Sequence, residues 1–445
     1  MGWAQQEWET IDLGDKRRDR RLVLLAERLA DKPTASIPGA CKGWAETQAA
    51  YRFLSQEDVT WQSILEPHWA CSIERMKSQR TVLCLQDTTE LDFNGQAITG
   101  LGPLSYDAQR GMYLHPTYAV STEREPLGVL DAWMWARQPK EDGDKRAGIK
   151  ESTRWIEGYT RLAELSSSLP DTRLVYVADR ESDIVELMRT ARDLGEPVDW
   201  LVRSQHNRAL PDGDTLWSAV MAHKPVGELR FTMPSRHGQK ARDVHQHIRI
   251  KSVTLADGRG GELPTHSVIA TEVGAPAGVK PVEWRLLTNR PIKDFQDAVQ
   301  LIDWYRARWE IEMFFNVLKN GCKVEALQLA SMEKLERALA IYLIVAWRIA
   351  RLMRLGRSSP DLDAERLFEP EEWQAAYLLQ KKPVPKKPPR LNEVVRLVAM
   401  LGGFLGRKGD GEPGVKTIWQ GLQRVADFAQ GLRWARQSLD GLNCV

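Results

Sequence analysis

The stretch TVLCLQDTT, residues 81–89, marks the point where the sequence changes from a helical to a strand-like pattern. Its first six residues form a short apolar run typical of a buried β-strand, and the run ends at Asp87. A second run of this kind, RLVYVA at residues 173–178, ends at Asp179. In an open α/β sheet, functional residues gather at the carboxyl ends of the strands. The two runs therefore predict an α/β domain in which Asp87 and Asp179 converge.

The residues around these two runs extend the α/β pattern. Strand-like runs at 113–121 and 127–136 precede a helix over about 148–165, and a helix over 181–194 and the strand VDWLVRS follow Asp179. Residues from about 205 to 291 alternate between polar and apolar and are punctuated by glycine and proline, which predicts a β-rich insertion.

Both flanks of this region have helical periodicity. Residues 1 to about 75 form helical segments, and Lys16, Arg17, Arg18, Arg20 and Arg21 crowd the first turns of one of them. Cations at a helix N-terminus oppose the macrodipole, so a DNA phosphate backbone would compensate them; a solvated basic face is the alternative. Arg52 lies near the end of the next helix. This segment is a candidate DNA-binding unit.

The C-terminal flank begins with a long amphipathic helix over 332–355. The Pro/Lys-rich residues 380–390 predict an extended linker, and helices over 391–404 and 416–438 carry one apolar face suited to association between copies. We predict three domains: a helical domain at 1–78, a core at 79–356, and a linker with a helical domain at 357–445.

The stretch DAVQLIDWYRARWEIEMFFNVLKN, residues 297–320, predicts one continuous helix. At about 100° per residue, four chemically distinct side chains fall within one narrow stripe of its surface. They are Tyr305, Arg308, Glu312 and Lys319. The stripe has the composition of a site that holds a metal through Glu312 and phosphates through its cations. Taken alone, the spacing fits a salt-bridged surface helix equally well.

Composition limits the other possibilities. Lys and Arg number 62 against 60 Asp and Glu among 445 residues, so any nucleic-acid surface is local. Five scattered cysteines indicate a reducing compartment and argue against a structural zinc site, and His237, His245 and His247 are expected to be solvent-facing strand residues.

The start lacks a signal-peptide core, and no apolar run is long enough to cross a bilayer. We expect a cytoplasmic protein without a membrane partner, associated with the nucleoid if it is bacterial.

Asp87, Asp179 and Glu312 together suggest metal chemistry on phosphodiesters. Carboxylates can hold two Mg²⁺ ions about 4 Å apart, which activate an attacking oxygen and stabilise the leaving one. A single strand-end aspartate is more often a turn or helix cap, and Asp179 before Arg180 and Glu181 fits that role too.

The spacing Tyr305-x2-Arg308-x3-Glu312-x6-Lys319 resembles the signature of the DDE transposases of the insertion-sequence-four family. Further segments, in the same order along the chain, resemble the transposon-five type of that family. They are LGDKRRDRRL at 13–22, AAYRF at 49–53, DTT at 87–89, ADRESDI at 178–184, LVRSQH at 201–206, EWRLLT at 283–288 and LGGF at 401–404.

This resemblance implies a cut-and-paste DNA transposase of the α/β class, with a ribonuclease-H-like catalytic core that carries the β-rich insertion. Helical domains would flank the core, the N-terminal one binding transposon ends and the C-terminal one pairing two copies as a homodimer. Asp87, Asp179 and Glu312 would be the catalytic metal ligands for two Mg²⁺ ions, with Mn²⁺ as a substitute. The partner would be double-stranded DNA, as transposon ends and as target.

The resemblance also implies DNA-contacting residues. Tyr305, Arg308 and Lys319 would hold DNA near the cleavage point, and Trp284 would stack on a flipped base during hairpin formation. Arg203 would contact a phosphate, whereas Gln205 stands where the family usually has Lys. The remaining candidate DNA contacts are Arg17, Arg18, Arg21, Arg52 and Arg180.

Two other functions are compatible with parts of the sequence. One is a non-catalytic protein that binds and pairs DNA ends, such as an inhibitor, and the three retained carboxylates argue against it. The other is a structure-selective nuclease on the same core, against which the β-rich insertion and the end-binding domain argue.

Overall fold

The computed structural model describes residues 2–139, 150–233 and 241–442. The helices are α1 (Trp3–Glu7), α2 (Lys16–Asp31), α3 (Ile37–Ala40), α4 (Trp44–Leu54), α5 (Trp61–Lys77), α6 (Ser152–Ser166), α7 (Val185–Asp193), α8 (Leu216–Met221), α9 (Phe295–Arg306), α10 (Trp309–Asn316), α11 (Met332–Ser358), α12 (Pro370–Leu379), α13 (Leu391–Leu401) and α14 (Val415–Leu442). The strands are β1 (Thr81–Gln86), β2 (Thr89–Asp92), β3 (Gly102–Pro103), β4 (Arg110–Ser121), β5 (Pro126–Trp135), β6 (Arg173–Ala178), β7 (Asp199–Arg203), β8 (Gly227–Met233), β9 (Arg242–Ala256), β10 (Glu262–Glu272) and β11 (Glu283–Thr288).

The chain divides into two compact units. Unit 1 consists of Met1–Arg75, Thr88–Ala147 and Glu312–Val445, and unit 2 of Met76–Asp87 and Gly148–Ile311. Each unit is therefore assembled from separate stretches of the chain. The bounds of the units differ from those of the three consecutive domains expected from the sequence. The division at 1–78, 79–356 and 357–445 stays a prediction.

Unit 2 is built on a sheet with the strand order β1-β6-β7-β11-β10-β9-β8. Strands β1, β6 and β7 are parallel, and their apolar residues are almost all buried, as expected where a parallel sheet is covered by helices. The helices α6 and α7 lie in the connections between these strands. The mixed α/β class predicted from the two apolar runs is confirmed.

The predicted β-rich insertion is confirmed as an antiparallel array. Strands β8, β9, β10 and β11 pair in turn, and β11 then pairs with β7. Alternate residues of β9 are buried, because only one face of this part of the sheet is covered. The short helix α8 within the insertion was not predicted, since its six residues are too few to display a helical period.

Unit 1 is organised around α11, whose apolar residues from Ala338 to Trp347 are buried on every side. The helices α2, α13 and α14 and the strand β5 pack against it. The helical flanks predicted at both ends of the chain are confirmed. Helix α12 was missed, although Pro370 at its first turn and a capping box between Glu369 and Glu372 mark its start in the sequence.

The predicted single helix over 297–320 is wrong. Helix α9 ends at Arg306 and α10 begins at Trp309. The two residues between them form a 3₁₀-like turn, in which the Arg308 N–H donates to the Tyr305 C=O at 3.1 Å. Residues 317–321 then continue as a π-helix. The predicted angles around one axis therefore do not apply. Interruptions of this kind, both 3₁₀-like and π, occur frequently at functional sites.

A smaller correction concerns the start of one helix. The helix expected at 181 begins at Val185, because a 3₁₀ turn over Arg180–Ser182 precedes it.

In the described part of the chain, no helix is both long enough and apolar enough to cross a membrane.

Candidate active site

Asp87 and Asp179 follow directly on two neighbouring parallel strands of unit 2. The last residues of β1 and β6, Gln86 and Ala178, are register partners. Paired strands lie about 4.8 Å apart, so the residues that follow them emerge side by side at one edge of the sheet. The structure thus brings together the two aspartates that the apolar runs singled out.

The Asp179 side chain also caps the turn that follows it. Asp179 Oδ1 accepts a hydrogen bond of 2.8 Å from the backbone N–H of Glu181, at the start of the 3₁₀ turn. Asp179 therefore does cap this turn, which was one of the two roles expected of it. The bond engages one carboxylate oxygen and fixes the orientation of the group, which is compatible with a ligand role for the other oxygen.

Cationic side chains border this edge of the sheet. The register pair Ala178 and Val202 places Arg203, the last residue of β7, next to Asp179, and its side chain is exposed. Arg180, in the turn after Asp179, is exposed as well. Gln205 is exposed, and its backbone N–H donates 2.7 Å to Oδ2 of the buried Asp183, so the loop after β7 is held in place whatever side chain stands at 205.

Arg308 connects the helix break to Asp87. Its Nη1 lies 2.7 Å from Asp87 Oδ2, and the two side chains are 12% and 19% exposed. Arg308 also hydrogen-bonds to the Tyr305 side chain. Burial raises the pKa of Tyr305, and the nearby Arg308 and Arg203 offset part of that rise. Tyr305 is only 6% exposed, so it is placed to position Arg308 rather than to present a broad surface to DNA.

Glu312 and Lys319 lie on the later segments of the same stretch, in unit 1. Glu312 is half-buried within α10, one turn after Arg308. Lys319 lies in the π-helix, and its Nζ is 3.3 Å from Glu325 Oε1. Glu325 Oε1 also accepts a bond of 3.0 Å from the backbone N–H of Asp92, so Lys319 is tied to a fixed carboxylate.

Trp284 lies in β11 and is half-buried. Its ring stacks on Phe231 of β8, with ring centroids 5.7 Å apart and planes 19° from parallel. The Arg306 guanidinium lies 5.3 Å from the Phe231 centroid. The indole is therefore held on one face by an aromatic ring, an arrangement that pre-orients it without enclosing it.

The basic residues of the N-terminal helices are compensated from within the chain. The Asp15 side chain caps α2 by accepting a bond from the Arg17 backbone N–H, and it also binds the Arg17 guanidinium at 2.8 Å. The Asp15 carboxyl, which is partly exposed, consequently has its pKa lowered to about 2, chiefly by the hydrogen bond from Arg17. Asp15 thus compensates part of this positive charge, and contact of the remaining cations with a DNA phosphate backbone stays a prediction.

Arg18 and Arg52 are brought close together. Arg18 Nη2 donates to Gln56 Oε1 at 3.1 Å, and Gln56 Nε2 donates to the Arg52 backbone carbonyl at 3.1 Å. Arg52 is exposed and Arg21, one turn after Arg17, is half-buried. The helices α2 and α4 thus present their basic residues along a shared edge, which no spacing within one helix could indicate.

The structure also places a residue that the sequence did not single out. Glu228 of β8 lies beside His245 and His247 of β9, with its Oε2 2.8 Å from His245 Nε2 and its Oε1 3.4 Å from His247 Nε2. Glu228 is 17 residues before His245 in the sequence. Only strand pairing brings them together, so the histidines alone could not reveal this cluster. His237 lies outside the described residues.

Three family models match the chain in succession. A model described as transposase DNA-binding matches residues 1–59, the transposase DDE domain matches 147–348, and the transposase Tn5 dimerisation domain matches 344–441. Asp179 and Glu312 fall within the DDE match, whereas Asp87 lies in the unmatched segment 60–146.

One solved structure similar to this chain is described as a cryo-electron-microscopy structure of the piggyBac transposase synaptic complex with hairpin DNA. It matches with a TM-score of 0.33 and 10% sequence identity, over 84% of this chain and 61% of that chain. A likeness at this TM-score supports no conclusion about the present chain. The three family models, by contrast, occur in the order expected of one enzyme family and leave little of the chain unmatched. The chain belongs to the DDE transposases of the transposon-five type.

Proposed function

We propose that this protein is a cut-and-paste transposase that binds transposon ends, cleaves them through a hairpin intermediate and joins the 3′ ends to target DNA. The observation that carries the proposal is the register pair Gln86 and Ala178, which sets Asp87 and Asp179 side by side at the edge of a parallel sheet. The DDE match over residues 147–348 supports the reaction class.

Asp87, Asp179 and Glu312 are the proposed catalytic carboxylates. For the two aspartates the support is geometric. For Glu312 it is the signature spacing, together with its place in α10 one turn after the break at Arg308. Carboxylate oxygens are the ligands that Mg²⁺ prefers, and the guanidinium bound to Asp87 indicates that this carboxylate attracts a cation.

By its chemistry, a set of carboxylates suits two Mg²⁺ ions, with Mn²⁺ as a substitute. When bound, such ions activate the attacking oxygen and stabilise the leaving oxygen of a phosphodiester. The chain's own cations then have a different task. Arg203 and Arg180 are exposed beside Asp179, where they can hold a phosphate backbone in position.

The hairpin step is proposed to use Trp284. Extruding a base costs stacking energy, and an aromatic ring that receives the base offsets that cost by about 1–3 kcal/mol. Trp284 is half-exposed and pre-oriented by Phe231, as a receiving surface requires.

The partners follow from the flanking matches. The N-terminal match to a transposase DNA-binding model and the shared basic edge of α2 and α4 support binding of transposon ends. The C-terminal match to a dimerisation model supports pairing of two copies, each holding one end.

The test is cleavage of a linear duplex that carries a transposon end. We expect Mg²⁺-dependent nicking, then a hairpin, then strand transfer, all abolished in Asp87→Asn, Asp179→Asn and Glu312→Gln. Binding of the end duplex should be retained in each variant, because the isosteric amides remove charge and not shape. Full cleavage by any one of the three would remove that residue from the site.

The same assay separates the two alternatives. A protein that only binds and pairs ends would shift the duplex but release no cleaved product at any metal concentration. A structure-selective nuclease would cut but fail to join a pre-cut 3′ end to target DNA. Pre-cut ends therefore belong in the assay from the outset.

A further inference from the structure

We propose that Glu228, His245 and His247 form a zinc site on the β-rich insertion, separate from the carboxylates of the transposition reaction. The ligand atoms of these three residues lie within 4.8 Å of one another. The inference does not depend on the transposase activity, because all three ligands lie on strands β8 and β9.

The strand register creates the cluster. Glu228 is the cross-strand partner of His247, and Arg230 is the partner of His245. His245 and His247 are two residues apart on one strand, so their side chains leave the same face of the sheet. Val244, Gln246 and Ile248 point to the other face and are buried there, which fixes both imidazoles on the open face.

The distances suit one ion. Zinc binds imidazole nitrogen and carboxylate oxygen at about 2.0–2.2 Å, so two such donors at the tetrahedral angle lie about 3.4 Å apart. His247 Nε2 is 3.4 Å from Glu228 Oε1, which matches that separation, and His245 Nε2 is closer, at 2.8 Å from Glu228 Oε2. The donors need only small side-chain rotations to surround an ion.

The hydrogen bonding of the cluster points to a ligand as well. His245 Nε2 is shielded from solvent, and among the described residues its one close polar contact, with Glu228 Oε2 at 2.8 Å, lacks the angle of a regular hydrogen bond. Thr271, the β10 partner of His247, has a buried hydroxyl that lacks a partner within the described chain. Buried polar atoms are rarely left without good hydrogen bonds, and a bound ion would complete the bonding of the His245 nitrogen.

Charge and access support the same assignment. Arg230 Nη2 lies 3.4 Å from Glu228 Oε2, so this carboxylate already attracts a cation, and the Arg230 side chain is exposed enough to move aside. A depression of about 550 Å³ borders His245 and offers a way in.

Two imidazoles and one carboxylate are a donor set that zinc accepts, with water in the fourth position. Magnesium prefers all-oxygen sites, which separates this cluster chemically from the aspartates. A zinc ion here would link β8 to β9 and stabilise their pairing.

The experiment is titration of the full-length protein, first stripped with a chelator, with Zn²⁺ against a chromogenic indicator and with Co²⁺ by absorption spectroscopy. We expect one tight Zn²⁺ equivalent that persists in the Asp87→Asn/Asp179→Asn double variant. We also expect intense Co²⁺ ligand-field bands, which four- or five-coordinate sites give and octahedral ones do not. Glu228→Gln and His247→Gln should each weaken binding at least tenfold.

The matched control is His266→Gln. His266 lies in β10 of the same array, and its Nδ1 is 2.9 Å from Ser252 Oγ, so this variant should bind zinc like the wild type. Weak Co²⁺ bands in the wild-type protein would overturn the proposal without any variant. Tight binding unchanged by Glu228→Gln and His247→Gln, in protein shown by circular dichroism to be folded, would also overturn it.

Discussion

Arg308 Nη1 lies 2.7 Å from Asp87 Oδ2, so a residue expected to grip DNA instead binds one of the carboxylates expected to hold metal. The contact depends on the break between α9 and α10, where Arg308 leaves regular helical geometry. Arg308 and a metal ion compete for the charge of one carboxylate. The guanidinium therefore compensates the charge of Asp87 before metal and DNA are bound.

This contact predicts that Arg308→Gln strengthens divalent metal binding. A partly exposed ion pair is worth about 1 kcal/mol, so its loss should lower the Mn²⁺ dissociation constant roughly fivefold. Calorimetric titration with Mn²⁺ measures this directly. Arg308→Lys retains the charge and should stay near the wild-type value. Unchanged or weaker Mn²⁺ binding in Arg308→Gln would mean that the ion pair does not compete with metal. Hairpin formation should fall in the same variant, because Arg308 is also a proposed DNA contact near the cleavage point.

Lys319 should affect the binding of DNA but not the binding of metal. Its partner is Glu325, so Lys319→Gln removes a cation without altering Asp87. We expect the variant to bind the end duplex several-fold more weakly. The logarithm of its binding constant should also fall less steeply with the logarithm of salt concentration, by the amount that corresponds to about one phosphate contact. Metal affinity should not change. Lys386→Gln, an exposed lysine in the segment before α13, serves as the control. A loss of metal affinity in Lys319→Gln equal to that in Asp87→Asn would contradict the separation of tasks.

The sequence predicted the parts of the site that depend on local pattern. Asp87 and Asp179 follow buried apolar runs, and strand pairing places such ends together without further information. The helix break at Ala307 and Arg308 was not predictable, since RARW contains no glycine or proline and tertiary contacts override its helical propensity. Because the break redirects Arg308, its contact with Asp87 was missed as well. Glu228 was missed for a related reason, because cross-strand partners cannot be identified without the register.

Gly158 allows α6 to approach the strand that ends at Asp87. A Cβ at this position would lie 2.2 Å from Gln86 Nε2, and Gln86 is fully buried directly before Asp87. We expect Gly158→Ala to lower the free energy of unfolding by about 1–3 kcal/mol through overpacking. It should also weaken Mn²⁺ binding by displacing Asp87. Chemical denaturation and calorimetry test the two effects. Glu164→Ala, on the exposed side of the same helix, should change neither.

His68 makes the stability of unit 1 dependent on pH. Its Nε2 accepts a bond of 3.0 Å from the Val129 backbone N–H and its Nδ1 faces Glu7, so the folded state holds a neutral imidazole. Burial lowers the pKa of His68 below its ordinary 6.5. Below about pH 6.5 the unfolded chain binds a proton that the folded chain does not, so stability falls as pH falls.

The expected loss between pH 7.5 and pH 5.5 is at most about 1.4 kcal/mol, the value for a folded-state imidazole that stays neutral throughout this range. Glu7 does not contribute in this range: burial raises its pKa, but His68 and Arg75 lower it further, to about 2. Hydrogen exchange of α5 at the two pH values, corrected for intrinsic rates, reports the change. His68→Gln should remove it, and His223→Gln, at an exposed histidine, should not. An equal pH dependence in His68→Gln would assign it to other groups.

Trp284 should affect the hairpin step and not the first cut. Its ring is held against Phe231 at 5.7 Å, so removing the indole leaves the carboxylates in place but removes a surface for an extruded base. We expect Trp284→Ala to nick end-bearing DNA at nearly the wild-type rate and to form hairpins roughly tenfold more slowly, since base–aromatic stacking contributes about 1–3 kcal/mol. Gel analysis of nicked and hairpin products separates the steps, and 2-aminopurine at the terminal position reports base extrusion by fluorescence. Trp284→Phe should recover most hairpin formation. If nicking and hairpin formation fell together in Trp284→Ala, the indole would support the fold of β11 instead of the flipped base.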